Sequence, residues 1–133
     1  MIVDASVVVK WFSLENLHEE ARELLVRPEP LFAPDILVAE FANAMWVKVR
    51  RGEIEASQAA RALSAVSGSG EPQLRPSVPL ASRAFELAKE LGHPVYDCVY
   101  LALAQDLDVP LLTADRRFVA AAEGHERVRL LGA

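Results

Sequence analysis

Four acidic side chains stand where the chain is otherwise apolar. Asp4 interrupts "MIVDASVVVK", Glu40 lies in "LVAEFANAMW", Asp97 in "VYDCVYLALA" and Asp115 in "LLTADRR". An ionised carboxylate in such a setting is costly to bury without a partner. Singly, each has an ordinary structural role. Asp4, Asp97 and Asp115 can cap helices, each cap contributing about 1 kcal/mol, and Glu40 can pair with Lys48 or a nearby arginine. Gathered in one place the four become a liability, because two unit charges about 4 Å apart repel by about 4 kcal/mol at an effective dielectric near 20. With Mg²⁺ or Mn²⁺ among them, the same oxygens form a hard-ligand site. Such a site suits phosphoryl chemistry: a metal activates water, a second can stabilise the leaving oxygen, and no side chain need act as a covalent nucleophile.

The elements that must position these acids can be read from the pattern. "MIV" is a very short strand, and "SVVVKWF" is expected to be a short helix, because "DAS" is a poor turn between two strands. Asn16 is expected to cap a helix from Leu17 to about Val26, with Glu19 in capping-box position. "LFA" is a second strand, followed by a long helix from Pro34 or Asp35 to about Arg51, stopped by Gly52. A further helix runs from about Ile54 to Val66, "SGSGEP" is a loop, and "QLRPSV" holds a third strand. Pro79 to Leu91 is amphipathic, with Leu80, Ala84, Leu87 and Leu91 on one face. "DCVYLALAQDL" is an apolar helix, "VPLLT" a buried strand, "DRRFVAAA" a short helix and "RVRLL" a last strand.

Strands alternating with helices imply an α/β fold, a parallel sheet covered on both faces. Ligands bind such sheets beyond the carboxyl ends of the strands, at a topological switch point. Asp4 and Asp115 fall at or just past strand ends, and Asp97 opens a helix that leads into a strand. Glu40 lies about one turn into the helix after the second strand, so all four can reach one edge.

Composition narrows the function classes. The 133 residues fit one domain, 1–133, and the charge of −5 argues against a strongly basic nucleic-acid clamp while allowing a local basic rim. No basic segment precedes an apolar stretch at the N-terminus, and no uncharged run approaches a membrane span, so a cytoplasmic protein is expected, with no membrane partner. One cysteine excludes an internal disulfide framework, and Cys98 reads as a small core residue. His18, His93 and His125 stand near no G-x-S-x-G turn and show no zinc spacing. "SGSGEP" lacks the Lys-Ser/Thr of a phosphate-binding loop. Ser6 occupies the third position of what would be D-x-D in a haloacid-dehalogenase-like phosphatase, and "LLTAD" has no lysine of the receiver-domain kind.

In "IVDAS", "AEFANAMW", "HPVYDCVYLALA" and "LLTADRRF" the sequence resembles the PIN-domain ribonucleases, most closely the VapC-type toxins of bacterial toxin–antitoxin pairs. The resemblance implies a PIN-like three-layer fold, a mostly parallel five-stranded sheet flanked by about seven helices. It implies Mg²⁺- or Mn²⁺-dependent endonucleolytic cleavage of RNA, with Asp4, Glu40, Asp97 and Asp115 as the acidic quartet. Asp4, Asp97 and Asp115 would hold a metal, with Glu40 assisting directly or through water, one or two ions in all. Hydrolysis by metal-activated water would leave 5′-phosphate and 3′-hydroxyl ends. Thr113, Ser6 and Asn43 match supporting polar positions. The expected partners are RNA, a VapB-type antitoxin that blocks the acidic pocket, and a second copy in a homodimer, with a higher toxin–antitoxin assembly possible in principle. Arg116 and Arg117, then Lys10, Lys48, Arg50 and Arg51, are candidate contacts to the RNA backbone, each weighed against a solvated surface charge. Two other outcomes stay open: a solitary PIN nuclease in RNA processing, and a catalytically silent PIN-like interaction module using Trp11 and Trp46, whose bland alternative is core packing.

Overall fold

The computed structural model describes residues 1–68, 70–125 and 127–133. Ser69, in the expected loop, and Glu126 lie outside the described residues. Five strands, β1 Ile2–Val3, β2 Phe32–Pro34, β3 Gln73–Arg75, β4 Leu111–Thr113 and β5 Val128–Leu130, form one sheet. Its order is β3-β2-β1-β4-β5, and every pairing is parallel. The helices are α1 Ala5–Val8, α2 His18–Glu23, α3 Ile36–Arg50, α4 Ala56–Gly68, α5 Ala81–Leu91, α6 Val95–Leu107 and α7 Arg116–Ala121, with 3₁₀ turns extending α1 and α2 and leading into α5. This is the α/β PIN-like architecture expected of the sequence. None of the helices is long and apolar enough to cross a membrane, among the described residues.

From β1 the chain steps one way, through β2 to β3, and then returns to the other side of β1 to lay down β4 and β5. With right-handed crossovers, the rule for parallel strands, this order assigns α1–α4 to one face of the sheet and α5–α7 to the other. The direction of winding reverses between β1 and β4, so a crevice opens at their carboxyl ends. The register pairs Val3 with Leu112, which brings the next residues, Asp4 and Thr113, to that crevice together.

Both residues of β1 are fully buried, as a strand covered on two faces requires. α6 packs against α5 and across β2, β1 and β4. Its residues Cys98 to Ala104 are all buried, which explains why "CVYLALA" shows no polar face. Trp11 is a core residue whose indole N–H donates to the Ala21 carbonyl at 2.8 Å, whereas Trp46 is more than half exposed on α3. Cys98 is buried, and burial pushes its thiol up to about 11, so it packs as a small core residue.

One helix start differs from expectation. Asn16 does not cap α2: the chain enters through Leu17 in a left-handed conformation (φ 67°), with no side-chain cap. The turn is closed instead by the His18 N–H to the Glu15 carbonyl at 3.1 Å. The helix expected to reach Val26 is α-helical only to Glu23 and continues as the 3₁₀ turn Leu24–Val26.

Candidate active site

Asp4 is both cap and buried acid. It ends β1 with extended backbone, and its Oδ1 accepts the Val7 N–H at 3.3 Å, which starts α1. The same oxygen accepts from Ser6 Oγ at 2.5 Å, and Oδ2 accepts from the Thr113 hydroxyl on β4. Ser6 Oγ in turn accepts the Ala114 N–H at 2.9 Å, and Thr113 Oγ1 the Asp115 N–H at 3.0 Å. Two hydroxyls therefore stitch the end of β1 to the end of β4 around a carboxylate that is 4% exposed. Burial pushes the Asp4 carboxyl up to about 6, and the charge of Asp97 adds to the rise. Hydrogen bonds from Ser6, Thr113 and Val7 oppose it.

Asp97 lies in the first turn of α6, where the helix N-terminus favours a negative charge. It is not the cap, which is Pro94. Its Oδ2 meets His93 Nε2 at 2.6 Å. Glu40, on the second turn of α3, accepts from the Tyr100 hydroxyl at 2.6 Å rather than pairing with Lys48. Burial raises the Glu40 carboxyl, with the charge of Asp97 adding, against the Tyr100 hydrogen bond. The Tyr100 hydroxyl is raised far beyond its ordinary range by burial and then by Glu40, with Asp4 and Asp97 contributing, so it remains a donor. Asp4, Glu40 and Asp97 thus share one electrostatic neighbourhood. Asp115 caps α7, its Oδ1 accepting the Arg117 N–H at 2.9 Å, and its tie to the neighbourhood runs through Thr113.

A hard cation suits this donor set in its chemistry. No lysine or arginine pairs with any of the four acids among the described residues. Glu40, Asp97 and Asp115 each have one oxygen held by a protein donor and the other without one, among the described residues. Among the described residues, no three His, Cys, Asp or Glu side chains stand together as a ready metal-holding group.

A family model described as "PIN domain" matches residues 1–124. The chain belongs to the PIN-domain family. Its relatives within that family place it among the VapC-type ribonucleases. It is 30% identical to Ribonuclease VapC3 of Pyrobaculum aerophilum over 118 residues, 88% of this chain and 90% of that protein. It is 37% identical to Ribonuclease VapC1 of Mycobacterium tuberculosis over 123 residues, 90% and 89% of the two chains. Its fold is similar to the crystal structure of PAE2754 from Pyrobaculum aerophilum, at 27% identity and a TM-score of 0.68, covering 92% of this chain and 79% of that one. A chain of a toxin–antitoxin complex from Klebsiella pneumoniae is similar in fold, at 20% identity and a TM-score of 0.66, covering 96% and 94%.

Around the PIN-domain crevice the other candidate residues divide. Ser6 and Thr113 touch Asp4 directly. Asn43 is exposed on α3, one turn beyond Glu40, and makes no side-chain hydrogen bond among the described residues. Arg116 and Arg117 are exposed beside Asp115 and belong to no ion pair among the described residues. Lys10 and Lys48 are drawn to Glu15, Lys48 also to Glu53 at 3.5 Å. Lys48 and Arg51 line a cleft of about 710 Å³ with Phe12, Glu15, Arg22 and Glu53. The Arg50 guanidinium sits 5.2 Å from the Trp46 ring centroid.

Two residues at the acids went unread in the sequence. In the sequence His93 fits no hydrolase or zinc pattern, and Tyr100 lies within an apolar helix. The signal was present: in "HPVYDCVY" His93 precedes Asp97 by four and Tyr100 follows it by three, the spacings that share one helical face.

Proposed function

We propose that this chain is a metal-dependent endoribonuclease, the toxin of a VapBC-type toxin–antitoxin pair, with residues 1–133 acting as one PIN domain in the cytoplasm. The observation that carries the reading is Asp4: a buried carboxylate at the switch point, electrostatically joined to Asp97, with Glu40 coupled to the same neighbour. Burial outweighs the hydrogen bonds that Asp4 accepts and keeps its carboxyl raised, and perturbed carboxyls in a crevice cluster at functional sites.

Asp4, Asp97 and Asp115, with Glu40 directly or through water, would hold one or two Mg²⁺ or Mn²⁺ ions. When bound, the cation supplies an activated water and charge stabilisation at the phosphate. The chain supplies the rest. Ser6 and Thr113 hold Asp4 in one orientation. Arg116 and Arg117, free of ion pairs among the described residues, would take the phosphates that flank the scissile bond. Attack by water rather than by the ribose 2′-hydroxyl leaves 5′-phosphate and 3′-hydroxyl ends.

The relatives' names, ribonucleases of the VapC type, support the RNA substrate, and the toxin–antitoxin complex that contains a chain of similar fold supports an antitoxin partner. A homodimer would bring two basic rims together around a chain of net charge −5. The test is brief expression followed by mapping of cellular RNA ends. New 5′-phosphate ends at a restricted set of sites are expected, suppressed by co-expression of the small protein encoded by an adjacent reading frame. Unchanged RNA would reject the nuclease, and cleavage with no such neighbour would favour a solitary processing enzyme.

A further inference from the structure

Glu40 and Asp97 are only partly buried at the crevice, where an unheld carboxylate can swing through several rotamers into water. Two side chains of α6 and its entry turn prevent this. α5 ends at Gly92, whose left-handed φ of 63° lets the chain reverse into α6. The next residue, His93, is held by its backbone N–H to the Ala88 carbonyl at 3.3 Å and by its ring, stacked on Phe118 of α7 at 5.1 Å and 10°. Its Nε2 is then fixed 2.6 Å from Asp97 Oδ2. Three residues past Asp97 on the same face, Tyr100 is 1% exposed, and its hydroxyl reaches over the sheet edge to Glu40 Oε1 at 2.6 Å. One end of α6 thereby orients a carboxylate of its own and a carboxylate of α3, from the opposite face of the sheet.

We infer that His93 and Tyr100 are positioning residues for cation binding at this crevice, each holding one oxygen of Asp97 or Glu40 so that the other is left for the metal; this rests on the metal-site reading above. Neither need touch RNA or the ion. Groups that orient ligand carboxylates typically contribute 10–100-fold in metal affinity. Phe118, fully buried in α7, is part of the same device, because its ring backs the imidazole.

The test is the Mn²⁺ dissociation constant of the full chain by isothermal titration calorimetry, with melting temperatures of the same samples. The variants are Tyr100→Phe, which removes only the hydroxyl, His93→Ala, and His93→Gln, whose amide N–H can stand where Nε2 stood. Tyr100→Phe and His93→Ala are expected to weaken Mn²⁺ binding by at least about tenfold, and His93→Gln to recover to within about threefold of the parent. If either variant binds Mn²⁺ as the parent does while Asp4→Asn abolishes binding, that residue's assignment is overturned and the acidic site stands. A loss that follows the melting temperature and is not recovered by His93→Gln overturns it in favour of a packing role. If Asp4→Asn binds Mn²⁺ as the parent does, the metal-site reading itself fails, and this inference with it.

Discussion

The hydroxyl of Thr113 donates to Asp4 Oδ2 across the seam between β4 and β1, joining residues 109 positions apart in the chain. Thr113 Oγ1 itself accepts the Asp115 N–H, so one buried hydroxyl fixes the orientation of one acid and the backbone of another. Parallel strands with matched register make this possible, because both chains end at the same level where the winding reverses.

Thr113→Val keeps the shape and removes that hydroxyl. It leaves the Asp115 N–H without its acceptor and Asp4 Oδ2 without its donor. A loss of about 1–3 kcal/mol in unfolding free energy is expected by urea titration. RNA cleavage should fall further than stability accounts for, and Thr113→Ser should restore most of both.

The Asp4 carboxyl is raised from its ordinary 3.8 to about 6, chiefly by burial. A raised acid binds its proton more tightly folded than unfolded, so its folding advantage is full below about pH 4 and lost as pH climbs through about 6. Asp4→Asn removes that penalty. The variant should be more stable than the parent at pH 7–8 without metal, on the order of 2–3 kcal/mol, and the gap should close as pH falls toward 4. Melting temperature against pH for the two proteins measures it; a gap that does not change with pH would contradict the burial argument.

Divalent metal should stabilise the folded chain by relieving the strain among Asp4, Glu40 and Asp97. Saturation at about 100 times the dissociation constant contributes about 2.7 kcal/mol, a rise of several degrees in melting temperature. Millimolar Mn²⁺ should produce the rise in the parent and not in Asp4→Asn, and EDTA should reverse it.

Arg116 and Arg117 flank Asp115, with no acidic partner among the described residues. If both meet phosphate, Arg116→Ala with Arg117→Ala should lower the slope of log K against log salt for single-stranded RNA by about 1.4. Lys48→Ala should leave that slope unchanged and destabilise the chain slightly, because its ammonium is occupied by Glu15 and Glu53.

Much of the architecture was legible because β1, β2 and β4 are short runs, mostly apolar, each followed within two residues by an aspartate. "DAS" reads as a poor turn between two strands and Asp4 as a helix cap, and α1 does start there with Asp4 as its cap. The acids stood out as polar residues in apolar company. Tertiary contacts hid the rest. Lys48 meets a Glu15 that lies 33 residues earlier, a pairing no helical spacing announces, so its charge looked free for RNA. Leu17 at φ 67° opens α2 against its own preference, in a turn that the capping-box reading of Asn16 and Glu19 missed. Tyr100 was hidden by its own burial: within "CVYLALA" its ring does what the neighbouring leucines do, and only its hydroxyl faces Glu40.

In the proposed function, the Asp4-centred crevice hydrolyses RNA with water as nucleophile. The most direct measurement is cleavage of an end-labelled RNA by the purified chain in Mn²⁺, beside Asp4→Asn, with the product ends identified. Cleavage by the parent to 5′-phosphate and 3′-hydroxyl ends, lost by about a thousandfold or more in a folded Asp4→Asn, is the expected result. Equal cleavage by the two proteins, or 2′,3′-cyclic phosphate among the products, would contradict it.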